Sequence, residues 1–374
     1  MNTAVENFKQ YRKKIDIWLL VLVLVLALFG LIMIGSASAI VANQEFDGQH
    51  DYYYVGKQAL TLAIGLIGTY IFSLIDYHKY RKYALYFLLA TFALLIAVKI
   101  PGLAREINGA KRWLHIGGFT YQTSELAKIT LILYLSSWFE NRSGKIPIIP
   151  FIAIIGAVAA LIITQPDMGT LSVFVGIAAA MFIAAGASMV QIFGSIGALA
   201  AAFWIFIKSS PYRMERLTTF LNPQAETLGS GYHINQALYA VGSGGLLGLG
   251  FGKSIQKYLY LPEPQTDSIF AIIAEELGFL RSSIIIIVFG LLVWRGFKIA
   301  KYAPDDFGRY IAVGITAWIG IQSFINIAAL TGLIPLTGVP LPFISYGNSS
   351  LSALLVAVGI ILNVSKFSKS ERST

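Results

Sequence analysis

The sequence predicts an all-α integral membrane protein of about ten membrane-spanning helices, and three observations carry that expectation. Of the 374 residues, 56% are hydrophobic and 13% charged, whereas a soluble domain carries about 25% charged residues. Mean hydropathy is +0.69. Apolar runs of about 18 residues or more recur along the whole chain, the length needed to cross hydrocarbon.

In chain order, spans are expected at roughly 16–38, 56–75, 84–100, 124–140, 148–165, 169–186, 190–208, 267–298, 308–331 and 347–365. The first follows Lys9, Arg12, Lys13 and Lys14 and ends near Ser36-Ala37-Ser38-Ala39, which resembles a signal peptide. Its apolar run from Ile17 to Ile34 exceeds the roughly 7–15 residues of a signal core, and many similar runs follow, so it reads as an uncleaved helix. The eighth span is long enough to be tilted or to begin outside the bilayer core. The fifth and sixth turn sharply around Gln165-Pro166-Asp167, near the membrane surface.

With the N-terminus inside, inner segments carry sixteen Lys and Arg and outer loops nine, which places both termini in the cytoplasm. The chain reads as one membrane domain, 1–374. It has a cytoplasmic N-terminus at 1–15, a cytoplasmic tail at 366–374, and two sizeable extracytoplasmic loops at about 101–123 and 209–266. The longer loop is rich in Tyr, Phe and Leu, enough to pack on the membrane surface or dip into it. Loops of that length are functional or disordered, and its composition is not that of disorder.

Net charge is +9, but the basic residues sit between apolar runs rather than in a basic domain. Their expected partners are membrane lipid headgroups and an anionic substrate, not nucleic acid. The chain has no cysteine, which excludes disulfides, thiolate metal sites and cysteine nucleophiles. The four histidines are scattered, which argues against a protein-only zinc site. A divalent cation such as Mg or Mn, shared between a carboxylate and substrate phosphates, stays open.

Five groups of residues carry the candidate chemistry. Gly242-Ser243-Gly244-Gly245 and Gly248-Leu249-Gly250-Phe251-Gly252 lack a preceding strand, so they read as tight, re-entrant or close-packed backbone rather than a nucleotide loop. Next to Lys253 and Lys257, such backbone can also approach a phosphate. Lys111 and Arg112 beside Trp113 fit an interfacial anchor and a pyrophosphate clamp equally well. Ser124-Glu125-Leu126-Ala127-Lys128 opens a helix, with Ser124 as expected N-cap and Glu125 and Lys128 one turn apart on one face. A cation such as Lys128 entering the membrane has a partner or a job.

Thr266 or Asp267 is the expected N-cap of the eighth helix. Asp267 would also stand at the outer mouth of the bundle, where a carboxylate can take a proton from a sugar hydroxyl. The helix dipole would keep it ionised and weaken it as a base, while apolar surroundings would act the other way. Glu275 and Glu276 lie about two turns deeper among apolar residues, with Arg281 as the expected partner.

Six motifs in one order resemble the SEDS family of bacterial membrane proteins, the RodA, FtsW and SpoVE group. They are Asn108-Gly109-Ala110-Lys111-Arg112-Trp113-Leu114, Tyr121 to Lys128, Gln165-Pro166-Asp167-Met168-Gly169-Thr170, Gly242 to Gly245, Leu261 to Gly278, and Gly338 to Gly347. The resemblance covers nearly the whole chain. Pro340 to Gly347 and Leu362-Asn363-Val364-Ser365 are more similar to FtsW or SpoVE than to RodA. Thr123 replaces a usual Pro, Ser268 a usual Phe, Asn348 a usual Gly and Arg281 a small residue.

The resemblance implies a glycosyltransferase that polymerises lipid II into peptidoglycan outside the cytoplasmic membrane, with a class B penicillin-binding protein as partner. It places the catalytic carboxylate on Asp267, and substrate contacts on Lys111, Arg112, Glu125, Lys128 and Ser345. A lipid II flippase and a non-catalytic scaffold of the division or elongation machinery are the rival readings.

Overall fold

The computed structural model describes residues 14–47, 52–107, 110–116, 119–142, 146–165, 167–208, 211–222 and 229–368. Each of the ten expected spans carries a helix. In chain order these are α1 (Ile17–Glu45), α2 (Tyr53–Leu74), α3 (His78–Ala97), α4 (Thr123–Glu140), α5 (Ile148–Ile163), α6 (Met168–Ala184) and α7 (Met189–Lys208). After α8 (Pro211–Leu221) and α9 (Ser230–Ser243) come α10 (Ile269–Lys301), α11 (Asp306–Leu330) and α12 (Asn348–Phe367). Six of them, α1, α2, α3, α10, α11 and α12, are long and apolar enough to cross a membrane by length and composition, and α5 and α6 are shorter apolar helices. This is a mostly helical, multi-pass membrane protein.

Two expected loops are structured. Residues of the 101–123 segment form an antiparallel sheet in the order β1 (Ala104–Ile107), β2 (Ala110–Ile116), β3 (Phe119–Gln122), with Trp113 opposite both Arg105 and Gln122. The strands are only four to seven residues long, too short for a period-two pattern to stand out from sequence. The 209–266 segment holds α8 and α9. The helix expected to begin at Ser124 begins at Thr123, with Gln122 at the N-cap position, so Ser124 is no cap.

Helix α11 runs through the centre of the bundle, packed by α4, α6, α10 and α12 and buried along most of its length. Small residues let its neighbours close in: a Cβ on Gly314 would lie 2.7 Å from Ile132. On the flank, α2 and α12 approach so closely that a Cβ on Gly359 would sit 2.6 Å from the Thr69 carbonyl oxygen, and the Thr69 hydroxyl donates to the Leu355 carbonyl at 2.8 Å. Such small-residue crossings replace the hydrophobic effect, which does not drive helices together in lipid.

At the end of the bundle that carries the chain termini, polar side chains tie the helices together. Asp16 caps α1 through the Leu19 amide at 3.0 Å and pairs with the Arg295 guanidinium at 2.8 Å. Asn363 accepts from the Tyr77 amide and donates to the Ser73 carbonyl. Asp305 caps α11 through the Gly308 amide at 2.7 Å and accepts from Tyr77 Oη. Burial pushes the Asp305 carboxyl up, but its bonds from His78, Gly308 and Tyr77 outweigh that and hold it below the usual carboxylate range.

Helix α10 is broken within its length. Gly278 has φ 77° and ψ 176°, outside any helical conformation. The glycine-rich residues 244–252 cover the break: Leu249 and Gly250 amides donate to the Glu275 and Glu276 carbonyls at 3.0 Å each. In return, the Phe279 and Leu280 amides donate to the Gly245 and Leu246 carbonyls at 2.8 and 3.2 Å. Gly248, with φ +83°, lies so close that an added Cβ would meet the Glu276 carbonyl oxygen at 2.2 Å. The close-packed backbone expected of this cluster is what the structure contains.

Candidate functional site

The site is built where the α9–α10 connection, the α11 C-terminus and the α11–α12 connection meet, at the end of the bundle away from the chain termini. Glu263, with φ 50°, is forced into the left-handed region at the start of a tight turn. Its carbonyl accepts from the Thr266 and Ser268 amides, which fixes the backbone on both sides of Asp267.

Neither Thr266 nor Asp267 is the N-cap of α10. Ser268 occupies that position and makes no capping bond, because its hydroxyl is used elsewhere: it donates to the Pro262 carbonyl at 2.8 Å and lies 2.7 Å from His233 Nε2. With the hydroxyl hydrogen directed at Pro262, His233 Nε2 must be the donor of its pair. The Asp267 side chain is thereby spared a capping role. It lines a small pocket with His233, Asn326, Leu336, Thr337 and Gly338. A Cβ on Gly338 would lie 3.3 Å from Asp267 Oδ2, so the glycine keeps one side of the carboxylate open.

Asn326, on the last turns of α11, donates to the backbone carbonyls of both Asp267 and Val339 at 2.7 Å. One turn earlier, Gln322 donates to the Pro340 carbonyl at 2.9 Å. Gln322 Oε1 then accepts from Lys128 Nζ at 3.1 Å and from Trp318 Nε1 at 2.7 Å. Lys128 is 2% exposed, pairs with Glu125 at 2.9 Å and stands 4.5 Å from the Trp318 ring centre. Polar contacts thus lead from Glu125 through Lys128 and Gln322 to the Pro340 carbonyl, and Asn326 joins the adjacent Val339 carbonyl to the backbone of Asp267. The expected Glu125–Lys128 pair is present, and its job is at least structural.

Arg112, on β2, donates through Nε to the Gln165 carbonyl at 2.9 Å and places Nη1 3.6 Å from Asp167. Asp167 in turn caps α6 through the Thr170 amide at 3.0 Å. Arg112 therefore docks the sheet onto the α5–α6 hairpin. The Lys111 side chain, with Asn108, Gly109 and Pro166 of the motifs, lies outside the described residues. Ser345 closes its own turn, its hydroxyl accepting from the Leu341 amide at 2.7 Å and its carbonyl from Gln58 Nε2 at 3.1 Å. Next to it, the Tyr346 amide donates to the Gln265 carbonyl at 2.9 Å, joining this turn to the Asp267 loop. Burial pushes the Tyr346 hydroxyl above its ordinary pKa and keeps it protonated.

Glu275 and Glu276 do not use Arg281, which is exposed and donates to the Leu247 carbonyl at 3.2 Å. Glu276 pairs with buried Lys257 at 3.0 Å and accepts from Ser36 at 2.6 Å. Glu275 accepts from the Ser254 hydroxyl and from the Ile255 and Gln256 amides at 3.0 and 3.3 Å. Of the two lysines beside the glycine-rich backbone that the sequence offered as able to approach a phosphate, Lys257 has its ammonium bound to Glu276, Ser36 and the Gly252 carbonyl. Reasoning from sequence missed His233, Gln322, Asn326 and Thr337. The one available signal was two amides one turn apart, Gln322 and Asn326, in the uncharged stretch of α11 after Arg309.

The family model described as a cell cycle protein, covering FtsW, RodA and SpoVE, matches residues 17–370. Stage V sporulation protein E of Bacillus subtilis (strain 168) is 42% identical over 360 residues, 95% of this chain and 98% of that protein. A probable peptidoglycan glycosyltransferase FtsW of Geobacter sp. (strain M18) is 39% identical over 359 residues, 94% of this chain and 96% of that one. Among solved structures, a chain from work on the structural coordination of polymerization and crosslinking by a peptidoglycan synthase complex superposes with a TM-score of 0.81. It is 26% identical and covers 94% of this chain and 97% of that one. RodA of Thermus thermophilus superposes with a TM-score of 0.70 at 26% identity, covering 96% of this chain and 98% of that one. Matched almost end to end in both sequence and fold, the chain belongs to the SEDS family of FtsW, RodA and SpoVE.

Proposed function

We propose that this chain is a peptidoglycan glycosyltransferase that polymerises lipid II at the outer face of the cytoplasmic membrane, with Asp267 as general base. The observation that carries the residue assignment is the treatment of Asp267: backbone pinned by Asn326, side chain left out of helix capping, Gly338 beside it. The relatives named as probable peptidoglycan glycosyltransferases support the reaction class. In the reaction, the acceptor sugar hydroxyl gives its proton to the Asp267 carboxylate as its oxygen bonds to the donor anomeric carbon. The bond from that carbon to the lipid pyrophosphate breaks, and the pyrophosphate leaves with the electron pair. Arg112 and Lys111, both on β2, are the proposed stabilisers of that leaving charge.

A divalent cation fits the chemistry of the pocket, which offers oxygen donors beside the His233 imidazole. Besides Asp267, Asn326 Oδ1 and Thr337 Oγ1 are buried and make no hydrogen bond among the described residues. Such a donor set suits Mg or Mn, and the ion would neutralise pyrophosphate charge. A class B penicillin-binding protein is the proposed partner, in keeping with the likeness to a chain of a peptidoglycan synthase complex.

The test is polymerisation of purified lipid II by the wild-type protein and by Asp267→Asn, with thermal unfolding as a folding control. Glycan strands from the wild type and none from a folded variant are expected. Polymerisation at the wild-type rate by Asp267→Asn would remove the residue from the role. Lipid scrambling in vesicles without any polymer would favour the flippase reading.

A further inference from the structure

We propose that residues 244–252 are a membrane-seated wedge, inserted among the acyl chains of the leaflet at the end of the bundle away from the chain termini. The wedge holds the broken end of α10 at the membrane boundary. This goes beyond the glycosyltransferase reading and does not rest on it.

Depth comes from two polar rungs between α1 and α10. One is the Asp16–Arg295 ion pair, the other the Ser36–Glu276 hydrogen bond. They are about 20 residues apart on each helix, which at 1.5 Å per residue is about 30 Å, the thickness of the hydrocarbon core. Between them, α10 exposes Ile284, Ile287 and Leu291. The outer rung therefore marks the far edge of the hydrocarbon, and Gly278, where 244–252 docks, lies beside it.

The exposed surface of the segment suits acyl chains. Leu246, Leu247 and Phe251 are 67%, 64% and 57% exposed, and no charged side chain occurs from Gly244 to Gly252. Phe279 and Leu280 are exposed beside them, so apolar surface continues onto the lipid-facing side of α10. At the junction the exposed Arg281 guanidinium donates to the Leu247 carbonyl at 3.2 Å, where a long cationic side chain can reach the headgroups. Immediately afterwards come exposed Lys253, Tyr258 and Tyr260, residue types that sit at the headgroup level.

The backbone meets the stricter requirement. Irregular main chain survives near hydrocarbon only when its polar groups are satisfied by protein. The four cross-bonds between 245–250 and 275–280 satisfy the groups that the helix break would otherwise release. Left-handed glycines at 245, 248, 250 and 252 make that fit achievable, because no side chain has to be accommodated in those conformations. A loop shaped for water needs no such closure.

The absence of cysteine makes the test direct. Leu247→Cys and Phe251→Cys, with Ile287→Cys as a lipid reference and Lys253→Cys as a water reference, are labelled with bimane. The purified chain alone is reconstituted in phosphatidylethanolamine–phosphatidylglycerol vesicles. Labels at 247 and 251 are expected to be quenched by doxyl-labelled phosphatidylcholine as strongly as at 287, and to lose most of the iodide quenching seen at 253. Iodide quenching equal to that at 253, with no response to doxyl lipid, would overturn the proposal. Shielding from both quenchers would also overturn it, by showing that protein rather than lipid covers the loop. If either variant fails to fold, Leu246→Cys and Leu249→Cys, also exposed, provide the same readings.

Discussion

The Asn326 side-chain amide lies 2.7 Å from the backbone carbonyl of Asp267 and 2.7 Å from that of Val339. One nitrogen thus clamps together the two chain segments that form the pocket around the Asp267 carboxylate. A reacting group displaced by about 1 Å can lose 10²-fold in rate. Asn326→Ala is therefore expected to lower the polymerisation rate by about 10–10²-fold while lipid II affinity changes little. A fall in affinity with an unchanged turnover rate would assign Asn326 to substrate binding instead of positioning.

Lys128 and Glu125 are buried together, with Gln322 and the Trp318 ring completing the environment of the ammonium. Removing one partner leaves an uncompensated buried charge, so Lys128→Met is expected to cost about 3–5 kcal/mol. The double variant Lys128→Met/Glu125→Leu should recover most of that loss, because neither charge then remains. Unfolding in detergent measures both; a double variant less stable than Lys128→Met would contradict the account.

Backbone contact at the α10 break sets a size limit. A methyl group on Gly278 would lie 2.2 Å from the Gly248 amide nitrogen, at a φ of +77° that L side chains rarely adopt. Gly278→Ala is expected to destabilise by more than about 3 kcal/mol, combining strain with overpacking. Gly242→Ala, on α9 with no atom within 4 Å of the added carbon, is expected to be neutral or to stabilise by up to about 1 kcal/mol. Thermal midpoints of the two variants separate local steric need from general intolerance of glycine substitution.

Asp305 carries a pH signature. A carboxyl held below its ordinary value contributes stability that is fully present above its unfolded-state pKa of about 3.9 and is lost as pH falls through the lower, folded-state value. Asp305→Asn should reduce stability by about 1 kcal/mol near neutral pH, a figure discounted for its partial exposure. That difference should shrink on acidification below about pH 3.9. A gap between wild type and variant that stays constant across this range would remove Asp305 ionisation as the cause.

Much of the fold was legible because lipid imposes long apolar runs, and α1, α10, α11 and α12 announce themselves by length alone. The glycine cluster was legible for a similar reason, since only close backbone packing explains so many glycines without a nucleotide-binding context. Partner choice was not. Lys257 reaches Glu276 and His233 reaches Ser268 because α9, the loop after it and α10 fold back on one another, and spacing along the chain does not encode that return. Ser124 looked like a cap, yet Thr123 is already helical because β3 delivers the chain directly into α4. The Asp267 position was readable, while Asn326, which holds its backbone, lies 59 positions away on another helix.

The break at Gly278 also divides the biogenesis of the protein into two events. The stretch after it, residues 279–301, carries its charges only near its ends, at Arg281, Arg295, Lys298 and Lys301, and at 1.5 Å per residue is about 34 Å long, so a translocation channel can release it into the bilayer as a span by itself. The stretch before it carries Glu275 and Glu276, whose charges disfavour its insertion into hydrocarbon until they are paired. It reaches its place only once Lys257, Ser36 and the amides of residues 255 and 256 are there to receive the two carboxylates. The segment that bears Asp267 is thus expected to settle after the helix it leads has been inserted, and a nascent chain stalled between those events would be anchored in the membrane with the pocket around Asp267 unformed.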